Sequence, residues 1–219
     1  MNNKQGLVVY CILSALLLGA SLSVSAKGDP ESGQQLSMKG DGSGAPCMAC
    51  HGPNGEGNAA GAFPYIAGMN EQYLYRQMKA YQTGERNNAV MSMNVDNFNE
   101  QQLHDIAAYY ASLSKPASTS KDTDSELLKQ GERLVSIGNW EEYIPPCSTC
   151  HGPNNRGVNE NFPGIAGQHA SYIKQQINAW KNGNRKTDKV QLMEAVAKRL
   201  SDAQIEAVSA YLASIPASE

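Results

Sequence analysis

The sequence predicts an all-α chain in which one small helical domain is used twice in tandem. Three observations predict it. A set of segments recurs about a hundred residues apart, helical apolar stripes alternate with Gly- and Pro-rich loops, and no stretch reads as a strand pair. The repeat is carried by Pro46-Cys47-Met48-Ala49-Cys50-His51-Gly52-Pro53-Asn54, which returns as Pro146-Cys147-Ser148-Thr149-Cys150-His151-Gly152-Pro153-Asn154. Phe63-Pro64-Tyr65-Ile66-Ala67-Gly68 returns as Phe162-Pro163-Gly164-Ile165-Ala166-Gly167, and Gly84-Glu85-Arg86 as Gly183-Asn184-Arg185. Such a period is too long for a solenoid unit and right for a small domain.

Each half has the same order of elements. A first helix carries Leu36 in one half and Leu128, Leu134 and Ile137 in the other. The loop with the cysteines follows. A second helix is predicted near Glu71 to Thr83 and near Ala170 to Asn182. Its stripe is Tyr73, Leu74, Gln77, Met78 and Tyr81, repeated as Tyr172, Ile173, Gln176, Ile177 and Trp180. Gly84 and Gly183 stop these helices. An irregular loop containing methionine comes next. The last helix opens near Asn99-Glu100 or Ser201-Asp202. It buries Leu103, Ile106, Ala107 and Tyr110, or Ile205, Val208, Ser209 and Leu212.

The domain plan is then a leader over 1–26, a first domain over 27–116, a linker over 117–124 and a second domain over 125–219. The leader reads as a cleaved, secretory signal peptide. Lys4 is its positive start, Leu7 to Leu18 its apolar run and Val24-Ser25-Ala26 its cleavage pattern. That run falls short of the ~20 residues a spanning helix needs. Cys11 lies inside the leader. Without it the chain keeps 17 basic and 21 acidic residues, an acidity that excludes nucleic acid as the expected partner. The linker is polar and has no apolar periodicity.

Four cysteines in an oxidising compartment would ordinarily pair as disulfides. Here each pair belongs to Cys-x-x-Cys-His, the attachment signal for c-type haem. Two thiols one helical turn apart can add to the two vinyl groups of one porphyrin. The next residue, His51 or His151, then ligates the iron. The expectation is two covalent haems per chain, on Cys47 and Cys50 and on Cys147 and Cys150. Each half is small and poor in large apolar side chains, so a buried prosthetic group would complete its core. Thioredoxin-like chemistry needs a βαβ pattern that is absent. A shared zinc site would need the two sets together.

The sixth ligand is open between histidine and methionine. His104 and His169 have no counterpart in the other half; His104 reads as a solvated helix residue and His169 as a loop residue. Methionine with histidine gives a six-coordinate iron of raised potential. Met193 lies 12 residues before Ile205, and Met91 lies 12 before the matching Leu103. Counting 42 residues on from His51 and His151 gives Met93 and Met193 instead. The register nearer the methionine selects Met91. Met78, on the apolar stripe, reads as core filler. Arg86 and Arg185 either pair with haem propionates, as Arg does with carboxylates, or are solvated beside a helix end. The carbonyls of Pro64 and Pro163 either accept the proximal histidine's second N–H or belong to plain turns.

Both halves resemble class I cytochrome c domains, and the whole resembles the cytochrome c4 family of periplasmic dihaem cytochromes. The motifs are Cys-x-x-Cys-His-Gly, Phe-Pro-x-Ile-Ala-Gly and Gly-x-Arg, each twice, with Gly167-Gln168-His169-Ala170 and Met193-Glu194-Ala195-Val196-Ala197-Lys198. The resemblance implies His/Met ligation by His51 and Met91 and by His151 and Met193. It implies a close-packed pair of haem domains in the periplasm and electron delivery to terminal oxidases. The chain departs from the pattern in Met93 and in an insertion, Gly138 to Ile144, which carries Trp140 and Tyr143. The expected role is an electron carrier between a membrane cytochrome reductase and a terminal oxidase, not an enzyme, with no small-molecule substrate. Peripheral contact with the membrane is compatible with it. The alternative is the haem subunit of a dehydrogenase such as flavocytochrome c sulfide dehydrogenase.

Overall fold

The computed structural model describes residues 27–40, 42, 44–117 and 125–218. The predicted leader and nearly all of the predicted linker lie outside them. The described residues hold ten α-helices and two 3-10 turns, with isolated β-bridges in place of strands. The first half contains α1 (Pro30–Lys39), α2 (Cys47–His51), α3 (Glu71–Gln82), α4 (Ala89–Val95) and α5 (Glu100–Ser112). The second contains α6 (Ser125–Ser136), α7 (Ser148–His151), α8 (Ala170–Lys181), α9 (Leu192–Arg199) and α10 (Asp202–Ser214).

Local chemistry sets the ends of these helices. Asp29 caps α1 by accepting from the Glu31 N–H, and Pro30 occupies the first turn, where its missing donor costs nothing. Asn99 and Ser201 each form a reciprocal capping box, with Gln102 and Gln204 respectively, so α5 and α10 begin at the same place in the repeat. Beyond α3 and α8, Gly84 and Gly183 take φ of 74° and 72°, which a side chain rarely adopts.

The first and last helices of each half cross at a glycine. A Cβ at Gly33 would lie 1.9 Å from the Asp105 carbonyl oxygen, and one at Gly131 would lie 2.1 Å from that of Ala207. Only a residue without a side chain lets α1 approach α5, or α6 approach α10, so closely. These crossings close off one side of each domain. The other side is left to α3 and α4, or α8 and α9, around an apolar interior.

The stripes predicted for α5 and α10 are buried in full, including Leu103 and Ile205. Two expectations need correction. The methionines lie in short helices, α4 and α9, rather than in irregular loops. Asn88 nucleates α4 by accepting from the Met91 N–H, a cap whose apolar periodicity is too short to recognise. Ile137 lies beyond α6 and is exposed, because the chain turns at Gly138, whose φ is 80°. Among the described residues no helix is long and apolar enough to cross a membrane.

Candidate haem site

The two cysteine motifs fold alike. Cys47 to His51 form α2, and Cys147 stands at the N-terminus of α7. The four thiols are not bridged. The loop after each histidine folds back so that Gly57 N–H meets the His51 carbonyl at 2.7 Å and Gly157 N–H meets that of His151 at 2.8 Å. Both imidazoles are buried. His51 Nδ1 donates to the Pro64 carbonyl at 3.0 Å, and His151 Nδ1 donates to the Pro163 carbonyl at 2.7 Å. A carbonyl can only accept, so each bond fixes the tautomer and leaves Nε2 as the lone-pair nitrogen. Pro64 and Pro163 are therefore more than turn residues. Burial lowers both histidine pKa values, against the proline bonds, with Arg86 and Arg185 acting in the same direction as burial. A neutral imidazole is the form that binds a metal.

An apolar cavity of about 1220 Å³ opens onto these groups in both halves. Its walls include Cys47, Cys50, His51 and Met91 from the first half, and Cys147, Cys150, His151 and Met193 from the second. Leu74 and Ile106, or Ile173 and Val208, supply aliphatic surface. Met93 is not part of the wall and is 62% exposed. Burial pushes the Cys147 thiol up to about 11, so as a free residue it would be an inert thiol.

Arg86 and Arg185 meet between the halves and are buried, so neither is a solvated arginine. The strands of chain that carry them pair, Asn87 N–H to the Asn184 carbonyl at 2.8 Å and Lys186 N–H to that of Glu85 at 2.7 Å. Their side chains cross over. Arg86 donates to Tyr172 Oη and Gln176 Oε1, both at 2.6 Å, and to its own half's Gln77 at 3.1 Å. Arg185 donates to Gln77 at 2.8 Å, to Tyr73 Oη at 3.2 Å and to Gln176 at 3.2 Å. Each guanidinium also lies over an aromatic ring, Tyr81 or Trp180, at 4.7 Å.

All these partners are neutral, and neither arginine forms an ion pair among the described residues. Burial opposes ionisation of Tyr172, yet the two guanidiniums outweigh it and pull the phenol below its usual range. Two buried cations without a carboxylate, beside an apolar cavity, fit a ligand that is flat, apolar and doubly acidic. A haem with its propionates has that character, and the residues present fit it.

The sequence places Tyr73, Tyr172, Gln77 and Gln176 on a helical stripe and gives them no role in joining the halves. The signal for that role was a glutamine at the same place in two otherwise apolar stripes. A second contact joins the halves at Tyr65. Gln168 accepts from the Tyr65 N–H at 3.0 Å and donates to the Tyr65 carbonyl at 2.9 Å, and Tyr65 Oη donates to the Ala166 carbonyl at 2.9 Å. His169 is buried with its Nε2 at 3.1 Å from the Glu56 carbonyl. His104, expected to be solvated, is buried and stacked on Tyr75 at 3.9 Å between ring centroids. Helix α5 turns it toward the neighbouring α3 rather than outward.

This architecture, a Cys-x-x-Cys-His helix and a methionine facing one apolar cavity in each of two helical halves, defines a tandem class I cytochrome c. The family model for cytochrome c matches twice, over residues 31–114 and 143–216. The chain belongs to this family, within its dihaem cytochrome c4 group. It is 36% identical to cytochrome c4 of Pseudomonas aeruginosa, over 90% of this chain and 94% of that one. It is 45% identical to the thiosulfate dehydrogenase electron acceptor of Thiomonas intermedia, over 80% of each chain. Reduced recombinant cytochrome c4 from Pseudomonas stutzeri superposes with a TM-score of 0.72 at 35% identity, covering 86% of this chain and 99% of that one. The thiosulfate dehydrogenase TsdBA from Marichromatium purpuratum superposes with a TM-score of 0.78 at 33% identity, but the match spans only 40% of that longer chain and 85% of this one.

Proposed function

We propose that this cytochrome carries two covalent haems and relays single electrons in the periplasm, from a thiosulfate dehydrogenase to a terminal oxidase. The duplicated donor set carries the proposal: each half turns one imidazole and one thioether onto the same apolar cavity. Haem iron supplies a one-electron couple when bound. Cys47, Cys50, Cys147 and Cys150 would tether the porphyrins. His51 and His151, oriented by Pro64 and Pro163, and Met91 and Met193 would be the iron's ligands. Aliphatic walls would shield the group from water, and Arg86 with Arg185 would balance the propionates. With a histidine and a methionine for each haem, the protein would be a carrier rather than a catalyst. The domains are those of the sequence, 27–116 and 125–219, behind a cleaved leader. The name of the Thiomonas relative points to the donor.

The test is stopped-flow spectroscopy on the dihaem protein. Thiosulfate alone should leave it oxidised; thiosulfate with a thiosulfate dehydrogenase should reduce it, and oxidase-containing membranes should reoxidise it. Sustained turnover on thiosulfate alone, or no exchange with either partner, would contradict the proposal. The TsdBA match favours a second reading, a fixed haem subunit of a dehydrogenase. Native size would separate the two, since a free carrier runs as a single chain.

A further inference from the structure

The insertion before the second cysteine motif has a built geometry that its sequence alone does not disclose. Asn139 and Ile144 pair through two backbone hydrogen bonds, each 2.8 Å, and close a small ring. Trp140 to Glu142 make one 3-10 turn inside it. Tyr143 then takes φ 56° and ψ 37°, a left-handed conformation suited to glycine or asparagine. The turn holds both aromatic side chains largely in solvent: Tyr143 is 76% exposed and Trp140 66%. Strain kept at a position so exposed points outward, to something the loop touches. Ile137, also exposed, precedes the ring.

The ring's other end is the cavity wall. Ile144, Pro145, Pro146 and Cys147 all line it, so the aromatic pair stands only a few residues from the cysteine end of the second candidate haem site. Charge selects the occupant. From Leu134 to Asn155 the only Asp, Glu, Lys or Arg residues are Glu141 and Glu142. The matching stretch of the first half, Met38 to Pro46, has no aromatic residue, and its one acid, Asp41, is offset by Lys39.

We propose that the Gly138–Ile144 loop is a docking surface for a redox protein with a basic face around an apolar haem edge, and that it directs such a partner to the second domain. The proposal rests on the carrier reading above. Aromatic anchors give the contact its energy, and the glutamate rim gives it orientation and a rate that falls with salt.

Basic mitochondrial-type cytochrome c serves as the probe. Calorimetric titration of the oxidised dihaem protein with the oxidised probe at low ionic strength measures affinity with no reaction taking place. Trp140→Ser should weaken binding at least tenfold. Glu141→Lys, which disturbs no hydrogen bond, should weaken it severalfold and flatten its salt dependence. Met38→Ser, an exposed apolar residue of the first domain, should bind as the parent does. Parent-like affinity in both loop variants, or an equal loss in Met38→Ser, overturns the docking surface and leaves the carrier reading intact. Loss confined to the loop variants upholds it, even where thiosulfate dehydrogenase proves not to be the donor.

Discussion

Met91→Ala is expected to remove the sulfur ligand from one of the two irons. The far-red band of ferric sulfur–iron charge transfer should drop to half its intensity, and cyanide or carbon monoxide should bind one haem. The potential of that haem should fall, since thioether ligation raises it. Met91 lines the cavity and is packed against the first-half core, with its N–H held by Asn88 Oδ1 at 3.0 Å. Met93 is on the same short helix but points to solvent. Met93→Ala should therefore leave spectrum and potential unchanged. The same substitution at Met193 should take the other half of the band. An unchanged spectrum in Met91→Ala, with loss in Met93→Ala, would reverse the assignment.

Arg86→Ala is expected to have the larger effect on stability. It removes a buried guanidinium and leaves Tyr172 Oη without its donor in a closed interface, while Gln77 and Gln176 still accept from Arg185. At about 1–3 kcal/mol for a buried polar group left unsatisfied, the variant should lose about 1–3 kcal/mol. The loss should appear as a lower, broader thermal transition in which the halves melt apart. Removing a cation beside the propionates also favours ferric over ferrous iron, so the potential of the adjacent haem should fall. Arg86→Lys keeps the charge but not the fork of donors, and should restore the potential more fully than the stability. Wild-type melting in Arg86→Ala would show that the crossed arginines do not join the halves.

The parts legible in the sequence were those that repeat or that follow a short local rule. The duplicated Cys-x-x-Cys-His, the stripes of α3, α5, α8 and α10 and the capping residues Asn99 and Ser201 all belong to this class. Helices α4 and α9 were not legible, because seven or eight residues show too little apolar periodicity. The crossing glycines were written in register, Gly33 before Leu36 and Gly131 before Leu134, but a glycine reads as a helix weakness until its neighbour is known. The interface was illegible for a related reason. Arg86 and Arg185 carry no mark of burial, since their hydrogen-bond partners lie about a hundred residues away on the partner half's stripe. The insertion carrying Tyr143 was visible as a departure from the family pattern, but the residue's left-handed backbone emerges only from the closed Asn139–Ile144 ring.

Intact mass under denaturing conditions, read together with acid–acetone extraction, tests the central claim most directly. Both haems should stay with the polypeptide. The mass should exceed that of the chain from Lys27 to Glu219 by two haem units, and Cys147→Ser with Cys150→Ser should reduce the excess to one. A mature chain with one haem, with none, or with haem that passes into the acetone would contradict it.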